Sequence, residues 1–278
     1  MRRSLRSGLF CLFTVCFLVL FASCRQTVLP VCEDGLTVTV LDIGKADCIL
    51  LELDGQAIMI DTGLSETSGE MLRLLDQKSI SDLDALIISH FDKDHLGGAA
   101  ALLQNISVST VYQPDYAEDS KTYLAYLLAL SQTEITPVET TENITFSFAD
   151  AEITIYAPQE ESYENENNYS LMVSLTYGDS RFLFAGDAKS KRLQEFLREE
   201  AGTFDFVKMP HHGSFNSSSA AFIQSVSPTY AVITNSATEG AEPELLEELQ
   251  DFGTETYLTS EGTVVVCSDG DSLQVLQP

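Results

Sequence analysis

The pattern of apolar and polar positions divides the chain into short strands and helices. Apolar runs predict strands at Leu36–Asp42, Cys48–Leu53 and Ala57–Ile60, and the turn pair Asp54-Gly55 joins the last two as a hairpin. Apolar residues at helical spacing then predict a helix over Ser65–Gln77. The run that follows, Asp84–Ser89, predicts a buried strand.

Helices and strands continue to alternate to the end of the chain. The further predicted helices are Leu96–Gln104, Tyr123–Leu130, Lys189–Glu199, Ser218–Ser225 and Glu244–Asp251. The further predicted strands are Ile144–Phe148, Ile153–Tyr156, Tyr169–Tyr177, Arg181–Ala185, Phe204–Lys208, Tyr230–Thr234 and Thr263–Cys267. This interleaving indicates an α/β (α+β) fold in which helices cover sheets. The acidic, asparagine-rich stretch 159–168 is too long for a simple turn and is expected to border a site.

All four histidines lie in two short clusters, each directly after a predicted strand. The first is S-H-F-D-K-D-H-L-G-G, residues 89–98, and the second is P-H-H-G-S, residues 210–214. A Gly-Asp pair ends a third strand. The candidate metal ligands at these strand ends are His90, Asp92, Asp94, His95, Asp187, His211 and His212. Neutral imidazole and carboxylate are the ligands of water-activating divalent metals, so the combination favours a metal site over isolated solvated turns.

The N-terminal residues have the composition of a secretory signal. Three arginines precede the apolar run Gly8–Ala22, which is short for a membrane span and ends in small residues before Cys24. We therefore predict a signal peptide over residues 1–24, a linker over 25–35 and a single domain over 36–278. The segment Leu20–Cys24 resembles a lipobox, which predicts a lipoprotein anchored to the membrane surface on the extracellular face. An uncleaved anchor is the alternative.

The acidic composition limits the partners. The net charge is −27, and residues 1–24 carry three of the 15 basic and none of the 42 acidic residues, so the mature chain is near −30. Such a charge repels polyanions, and no stable nucleic-acid binding is expected. One local basic patch is predicted beside Asp187, and a solvated helix face is its plainer explanation. Its members are Lys189, Lys191, Arg192 and Arg198.

The mature cysteines show no tight pair spacing of the kind found in zinc fingers or disulfide scaffolds. They are Cys24, Cys32, Cys48 and Cys267. Because Cys48 lies in an apolar run, a small core residue is the expected role.

Several blocks resemble the metallo-β-lactamase-fold hydrolases. The stretch H-F-D-K-D-H-L-G-G is similar to their H-x-[HD]-x-D-H signature, in the form found in the extracytoplasmic hydrolase domain of the competence protein ComEC and its stand-alone relatives. The resemblance extends over most of the mature chain through L-D-I-G-K-A-D (41–47), M-I-D-T-G (59–63), N-N-Y-S-L-M-V (167–173), F-L-F-A-G-D (182–187) and P-H-H-G-S. Lys45-Ala46 departs from the usual Gln-Gly.

The resemblance implies a four-layer αββα sandwich with two divalent metal ions, Zn2+ or Mn2+, at one edge. Asp94, His95 and one of His211 or His212, preferably His212, would hold one metal, and Asp187 would bridge both. His90 and Asp92 would hold the second metal. The histidine that completes the second site in many members is absent, and Asn167, Asn168 and Ser170 occupy its place; our ligand set takes Asn168 and Ser170. An oxygen-rich second site should tolerate manganese.

The function expected from this site is an extracytoplasmic metal-dependent hydrolase, with Asp94 and His211 in catalytic roles. A phosphodiester in DNA or a cell-envelope polymer suits attack by a metal-bridging hydroxide, because two metals can hold both the attacking and the leaving oxygens. One alternative is a β-lactamase-like amide or ester hydrolase. Another is a catalytically weak metal-binding envelope protein.

Overall fold

Two mixed β-sheets stack face to face in the computed structural model, which describes residues 29–30, 32, 34–200 and 202–278. The predicted signal peptide and Cys24 lie outside the described residues. The strands are β1 Leu36–Val40, β2 Cys48–Leu53, β3 Gln56–Thr62, β4 Asp82–Ile87, β5 Ser107–Pro114, β6 Val138–Thr140, β7 Ile144–Phe148, β8 Ala151–Tyr156, β9 Met172–Tyr177, β10 Ser180–Phe184, β11 Phe206–Lys208, β12 Tyr230–Ile233, β13 Glu255–Leu258, β14 Val264–Ser268 and β15 Leu273–Leu276. The first sheet has the order β15-β14-β1-β2-β3-β4-β5-β6, and the second has the order β13-β12-β11-β10-β9-β8-β7.

The helices form an outer layer on each sheet. They are α1 Ser68–Gln77, α2 Lys93–Leu96, α3 Ala99–Asn105, α4 Lys121–Leu130, α5 Ser190–Glu199, α6 Ser219–Val226 and α7 Pro243–Phe252. One apolar cluster lies between the sheets, where Val38 and Ile60 of the first sheet meet Phe182 and Phe206 of the second. Two further clusters join the first sheet to α1, α3 and α4, and the second sheet to α5, α6 and α7. The predicted αββα sandwich is therefore confirmed.

Most predicted elements are present within one or two residues of their predicted ends. The β2–β3 hairpin turns at Asp54-Gly55, where both residues have positive φ, as the turn pair requires. The structure adds four strands that the sequence pattern did not predict, β5, β6, β13 and β15. It also places Tyr169 in a 3-10 turn, Glu166–Tyr169, and not in a strand.

A disulfide joins Cys32 to Cys267, 235 residues later in the chain. The spacing of the cysteines did not predict this bond, because the two residues meet only when β14 pairs with β1. Cys48 is a buried free thiol in the apolar layer under α1, as predicted. Burial raises the pKa of this thiol, which makes it unreactive.

Among the described residues, no helix combines the length and the apolar character needed to cross a membrane.

Parallel pairing brings the candidate ligands to one edge of the sandwich. In the first sheet β3 runs parallel to β4, and in the second β10 runs parallel to β11. The carboxyl ends of parallel strands point the same way, so the loops that follow them meet at a common edge. The two histidine clusters and the Gly-Asp pair all lie in these loops.

Candidate metal centre

The loop after β4 is held by an aromatic anchor. Phe91 is fully buried and its ring lies 4.6 Å from that of Tyr116 and 4.7 Å from that of Tyr123. Its backbone N–H also donates to the Tyr116 hydroxyl at 2.7 Å. The residues on either side, His90 and Asp92, approach within 3.5 Å between Nε2 and Oδ2.

The single turn of α2 presents Asp94 and His95 to the site. The Gly97-Gly98 pair after it is needed for space, since a Cβ on Gly98 would lie 2.3 Å from the carbonyl oxygen of Thr62. This close approach lets the Thr62 hydroxyl donate to the His95 carbonyl at 2.9 Å. The helix and the end of β3 are thereby fixed together.

The second histidine cluster lies in a strained turn, Pro210–Gly213. His211 and His212 have φ of 49° and 52°, in the left-handed region, and Gly213 follows at 82°. Such a conformation costs roughly 1–2 kcal/mol for each non-glycine residue and persists only where the surroundings impose it. Here the His211 N–H donates to the Gly186 carbonyl at 3.1 Å, which ties the turn to the Asp187 loop.

The Nδ1 atom of each of three histidines already has a partner. His95 Nδ1 lies 2.8 Å from Asp61 Oδ2, and His90 Nδ1 lies 3.0 Å from the hydroxyl of Ser89. That hydroxyl donates to Asp61, so it accepts the proton of His90 Nδ1. His212 Nδ1 lies 2.9 Å from the hydroxyl and 3.1 Å from the carbonyl oxygen of Thr234. Because these partners favour the Nδ1–H tautomer, each Nε2 lone pair is left for a metal ion.

The free Nε2 atoms converge on carboxylates. His95 Nε2 is 3.2 Å from Asp187 Oδ1. His212 Nε2 is 3.3 Å from both Asp94 Oδ2 and Asp187 Oδ2. One side chain, Asp187, thus faces the ligand groups from both sheets.

Several of these buried atoms have no hydrogen-bond partner among the described residues. They are the Nε2 atoms of His90, His95 and His212 and Oδ1 of Asp187. Leaving buried polar atoms unpaired costs about 1–3 kcal/mol each, so their convergence favours a bound cation at this position. Imidazole nitrogen and carboxylate oxygen are the donors that Zn2+ and Mn2+ accept, and the residues therefore fit divalent metal ions.

The electrostatics of the metal-free protein support this fit. Burial lowers the pKa of His212, but the carboxylates of Asp187 and Asp94 outweigh it and raise the pKa to about 9. The pKa of His95 is also raised, by Asp187, Asp47 and Asp61 against the effect of burial. Burial raises the pKa of Asp187, yet His212 and His95 hold it well below its usual value. Protons on imidazoles thus compensate charge that metal cations would otherwise neutralise.

A buried lysine offsets part of the negative charge. Lys208, at the end of β11, is fully buried; it forms an ion pair with Asp47 and donates to the Gly186 carbonyl at 3.0 Å. Lys208 also lies 3.7 Å from Asp187, whereas the other carboxylates of the site, Asp61, Asp92 and Asp94, face histidines. The carboxylates outnumber this ammonium group, which favours a bound cation.

Asp47 also approaches His95 and His212, but on the side of the rings that is already occupied. Its carboxylate lies 3.7 Å from His95 Nδ1 and 3.5 Å from His212 Nδ1. Those nitrogens face Asp61 and Thr234, and the Thr234 hydroxyl donates to Asp47 at 2.6 Å. A metal placed there would have to displace Lys208, so Asp47 is better described as a support for the ligands.

The structure separates the two neighbouring histidines. His212 is buried with its Nε2 among the carboxylates, and its role as the metal ligand of the pair stays a prediction. The His211 side chain is 25% exposed, and its Nε2 lies 3.9 Å from Asp187 Oδ2. Burial lowers the pKa of His211 to about 4, so it is neutral at physiological pH. It lies at the partly exposed rim of the site.

The asparagine-rich segment reaches the site through Ser170. The Ser170 hydroxyl accepts from the backbone N–H of Asp187 at 3.2 Å, and the neighbouring Leu171 N–H donates to the Ser89 carbonyl at 2.8 Å. Asn168 is buried, and its Oδ1 accepts from the backbone N–H of Arg192 at 3.3 Å. Metal ligation by Asn168 and Ser170 stays a prediction.

Sequence reasoning missed the residues that support the ligands. Asp61, Ser89, Thr234, Asp47 and Lys208 orient or neutralise the metal-binding groups. Asp47 and Asp61 lie in blocks that carried the family resemblance, and that was the available signal. No local signal marked Thr234 or Lys208.

The predicted basic patch is wrong for Arg192. Lys191 is exposed and pairs with Glu160, but the Arg192 side chain is fully buried. Where a helix carries several charged residues among apolar ones, its sequence does not show which charged side chain points into the interior.

Comparison with known proteins agrees with this geometry. The sequence profile of the Metallo-beta-lactamase superfamily matches residues 41–234. The chain belongs to this superfamily. The matched region begins before the first ligand cluster and ends at Thr234, so it contains every candidate ligand described above.

Curated relatives include proteins named for competence and recombination. Recombination protein 2 of Haemophilus influenzae is 29% identical over 206 residues, which is 71% of this chain and 24% of that protein. ComE operon protein 3 of Bacillus subtilis is 28% identical over 240 residues, which is 80% of this chain and 30% of that protein. The chain thus spans less than a third of the length of these relatives.

Among solved structures, the metallo-beta-lactamase fold protein YhfI of Bacillus subtilis has the same fold. The TM-score is 0.56 at 13% identity, and the alignment covers 83% of this chain and 99% of that chain.

Proposed function

We propose that this protein is an extracytoplasmic, two-metal phosphodiesterase that acts on DNA or on a cell-envelope phosphodiester. The observation that carries the proposal is that the unpartnered Nε2 atoms of three histidines face the carboxylates of Asp92, Asp94 and Asp187. Divalent ions held there would supply Lewis acidity and an activated water nucleophile for in-line displacement at phosphorus.

The chain's own residues provide orientation and proton transfer. Asp187 faces ligands from both sheets and fixes the spacing of the site. The neutral His211 imidazole, at the exposed rim, is available to hydrogen-bond a phosphate oxygen or to accept a proton. The site lies at a sheet edge, which allows a polymer to cross it.

The disulfide supports a location outside the cytoplasm. A bond such as Cys32–Cys267 forms and persists in oxidising compartments and is rare in the cytosol of mesophiles. Together with the signal-like residues 1–24, it supports export, with a lipid on Cys24 as the proposed membrane anchor.

The net charge of −27 narrows the substrate class. It disfavours long-range attraction of a free polynucleotide and favours a short or envelope-bound phosphodiester. The names of the curated relatives keep DNA among the candidates.

An activity panel on the purified protein tests the proposal. Metal content is measured first by elemental analysis; the protein, loaded with Mn2+ or Zn2+, is then assayed with an aryl phosphodiester, an aryl phosphomonoester and a chromogenic cephalosporin. We expect the diester to be cleaved and Asp94→Ala to lose about a hundredfold or more in rate. Asp76→Ala, on the exposed face of α1, is the matched control and should retain activity.

Other outcomes of the panel contradict the proposal. Cleavage of the cephalosporin alone would identify an amide hydrolase. Tight metal retention without turnover would indicate a metal-binding envelope protein. Absence of bound metal, with no response to chelators or added ions, would remove the basis of the site.

A further inference from the structure

The guanidinium group of Arg192, on α5, lies in the interior between the helix and the segment 157–171. Its Nε donates to the Ser170 carbonyl at 3.0 Å, and its Nη2 donates to the Tyr156 carbonyl at 2.7 Å. The two carbonyls lie at the two ends of the segment, which we call the asparagine loop. One planar cation therefore joins both ends of this loop.

Glu195 continues the same anchor one helical turn later. Its carboxylate lies 3.6 Å from Arg192 Nη1 and is also buried. It accepts the hydroxyl of Tyr163 at 2.8 Å and the backbone N–H of Gln159 at 3.3 Å. The buried pair thus holds the middle of the asparagine loop as well as its ends.

Ser170 connects the buried Arg192–Glu195 pair directly to the metal centre. The carbonyl of Ser170 accepts from Arg192, while its hydroxyl accepts from the backbone N–H of Asp187. The Asn168 side chain is held separately, by the backbone N–H of Arg192. A shift of the guanidinium would therefore move Ser170 relative to Asp187.

The energetics argue for a role in geometry. Burying an ion pair carries a desolvation cost that its attraction often does not exceed, so this pair is weak evidence for stability. Arginine presents several N–H groups in a fixed fork, which suits two carbonyls in set directions, whereas lysine offers a single flexible ammonium. The neighbouring residue on α5, Lys191, is exposed, so the helix does not by itself force basic side chains into the interior.

We propose that Arg192, braced by Glu195, is a positioning residue whose side chain holds Ser170 against the Asp187 side of the metal centre and so controls occupancy of the second metal position. The inference rests on the two-metal site of the proposed function.

Manganese titration of the full chain tests this role without relying on activity. Protein stripped with a chelator is titrated by calorimetry, and the bound ions are counted by elemental analysis. We expect the wild type to bind two ions. In Arg192→Lys, which keeps the charge beside Glu195, the second ion should bind about 10–100-fold more weakly while the first stays nearly unchanged. Lys191→Met is the matched control, because Lys191 contacts the same loop from the surface, and it should bind both ions as the wild type does.

A second variant keeps the test decisive if Arg192→Lys does not fold. Tyr163→Phe removes a hydroxyl that donates to Glu195 and accepts from the backbone N–H groups of Gln159 and Glu160. The second ion should bind more weakly in this variant too, by a smaller factor than in Arg192→Lys. Unchanged second-ion binding in a folded variant, or equal weakening of both ions, would overturn the inference.

The same measurements separate this inference from the proposed function. If the wild type binds two ions and cleaves the diester while both variants match it, the proposed function stands and this inference alone falls. If the wild type binds no metal, both fall.

Discussion

At the scale of single residues, the metal centre depends on side chains that orient the ligands. Asp61 is the clearest case. It adopts a left-handed backbone conformation with φ of 56°, and its carboxylate accepts from the Ser89 N–H, the Ser89 hydroxyl and His95 Nδ1. A strained residue that accepts three hydrogen bonds has a fixed orientation, and it fixes that of His95.

Substituting Asp61 tests this support. Asp61→Asn replaces one acceptor oxygen by an NH2 group. This NH2 group would face a donor group of Ser89 or His95 and could not accept its hydrogen bond. We expect metal affinity to fall by about 10–100-fold, measured by calorimetric titration with Mn2+. Asp54→Asn is the matched control, since Asp54 also has positive φ, at 49°, but lies in an exposed turn. Equal affinity in the two variants would contradict the role of Asp61.

The protonation of His212 predicts a pH dependence. In the metal-free protein its pKa of about 9 exceeds its ordinary value of 6.5. Its contribution to the free energy of unfolding is therefore fully present below about pH 6.5 and is lost as the pH rises through about 9. Metal ions need the unprotonated ring, so their binding becomes more favourable over the same range.

Thermal unfolding with and without Mn2+ measures this linkage. The Tm of chelator-treated protein should fall from about pH 6.5 to about pH 9, and the increase in Tm caused by Mn2+ should grow. His211→Gln is a suitable control: with a pKa of about 4, His211 stays neutral throughout. A metal-induced increase that does not vary with pH would be inconsistent with a protonated His212 in the metal-free protein.

At the scale of elements, the site depends on how closely α2 and α3 approach the end of β3. Gly97 and Gly98 lie where the backbone of residues 62–65 leaves no space for a side chain. The glycine pair that follows His95 in the sequence is thus a packing requirement of the ligand-bearing turn.

A pair of Gly→Ala variants distinguishes this requirement from helix propensity. Gly98→Ala should lower the free energy of unfolding by about 1–3 kcal/mol, because its Cβ would meet the Thr62 carbonyl. Gly69 lies in α1, where an added Cβ would meet no other atom. Gly69→Ala should therefore raise the free energy of unfolding by about 0.5–1 kcal/mol. Urea unfolding gives both values. A stabilising Gly98→Ala would show that the turn can move away from β3.

At the scale of the whole molecule, the Cys32–Cys267 disulfide joins a residue near the start of the described chain to β14, the second-last strand. The bond closes a loop that contains the whole second sheet and all of the first except β15 and the last residue of β14. Constraining so long a loop restricts the unfolded chain, and the loss of such a bond typically costs about 2–5 kcal/mol.

Replacing both cysteines by serine should produce this loss. The double variant Cys32→Ser/Cys267→Ser is expected to unfold at lower urea concentration than the wild type under oxidising conditions. Under reducing conditions the two proteins should be equally stable, which serves as the control. Equal stability under oxidising conditions would mean that the bond does not constrain the unfolded chain.

Local sequence pattern by itself determined most of the elements and the location of the site. Apolar periodicity reports which face of a strand or helix is buried, so it predicted the layered α/β fold. The positions of His90, Asp94, His95, Asp187 and His212 at strand ends predicted a common site, since parallel strands end at one edge. Strands such as β6 and β13 were missed because short, partly exposed segments carry little periodic signal.

Only the tertiary structure decided which atoms meet. The hydrogen bonds of His95 with Asp61 and of His212 with Thr234, the pairing of Lys208 with Asp47, and the disulfide join residues that are separated in the chain. The inward direction of Arg192 was likewise set by the packing of α5 on the asparagine loop. Sequence periodicity records which face of an element is buried, but the partner of a buried polar atom depends on the register and packing of distant elements.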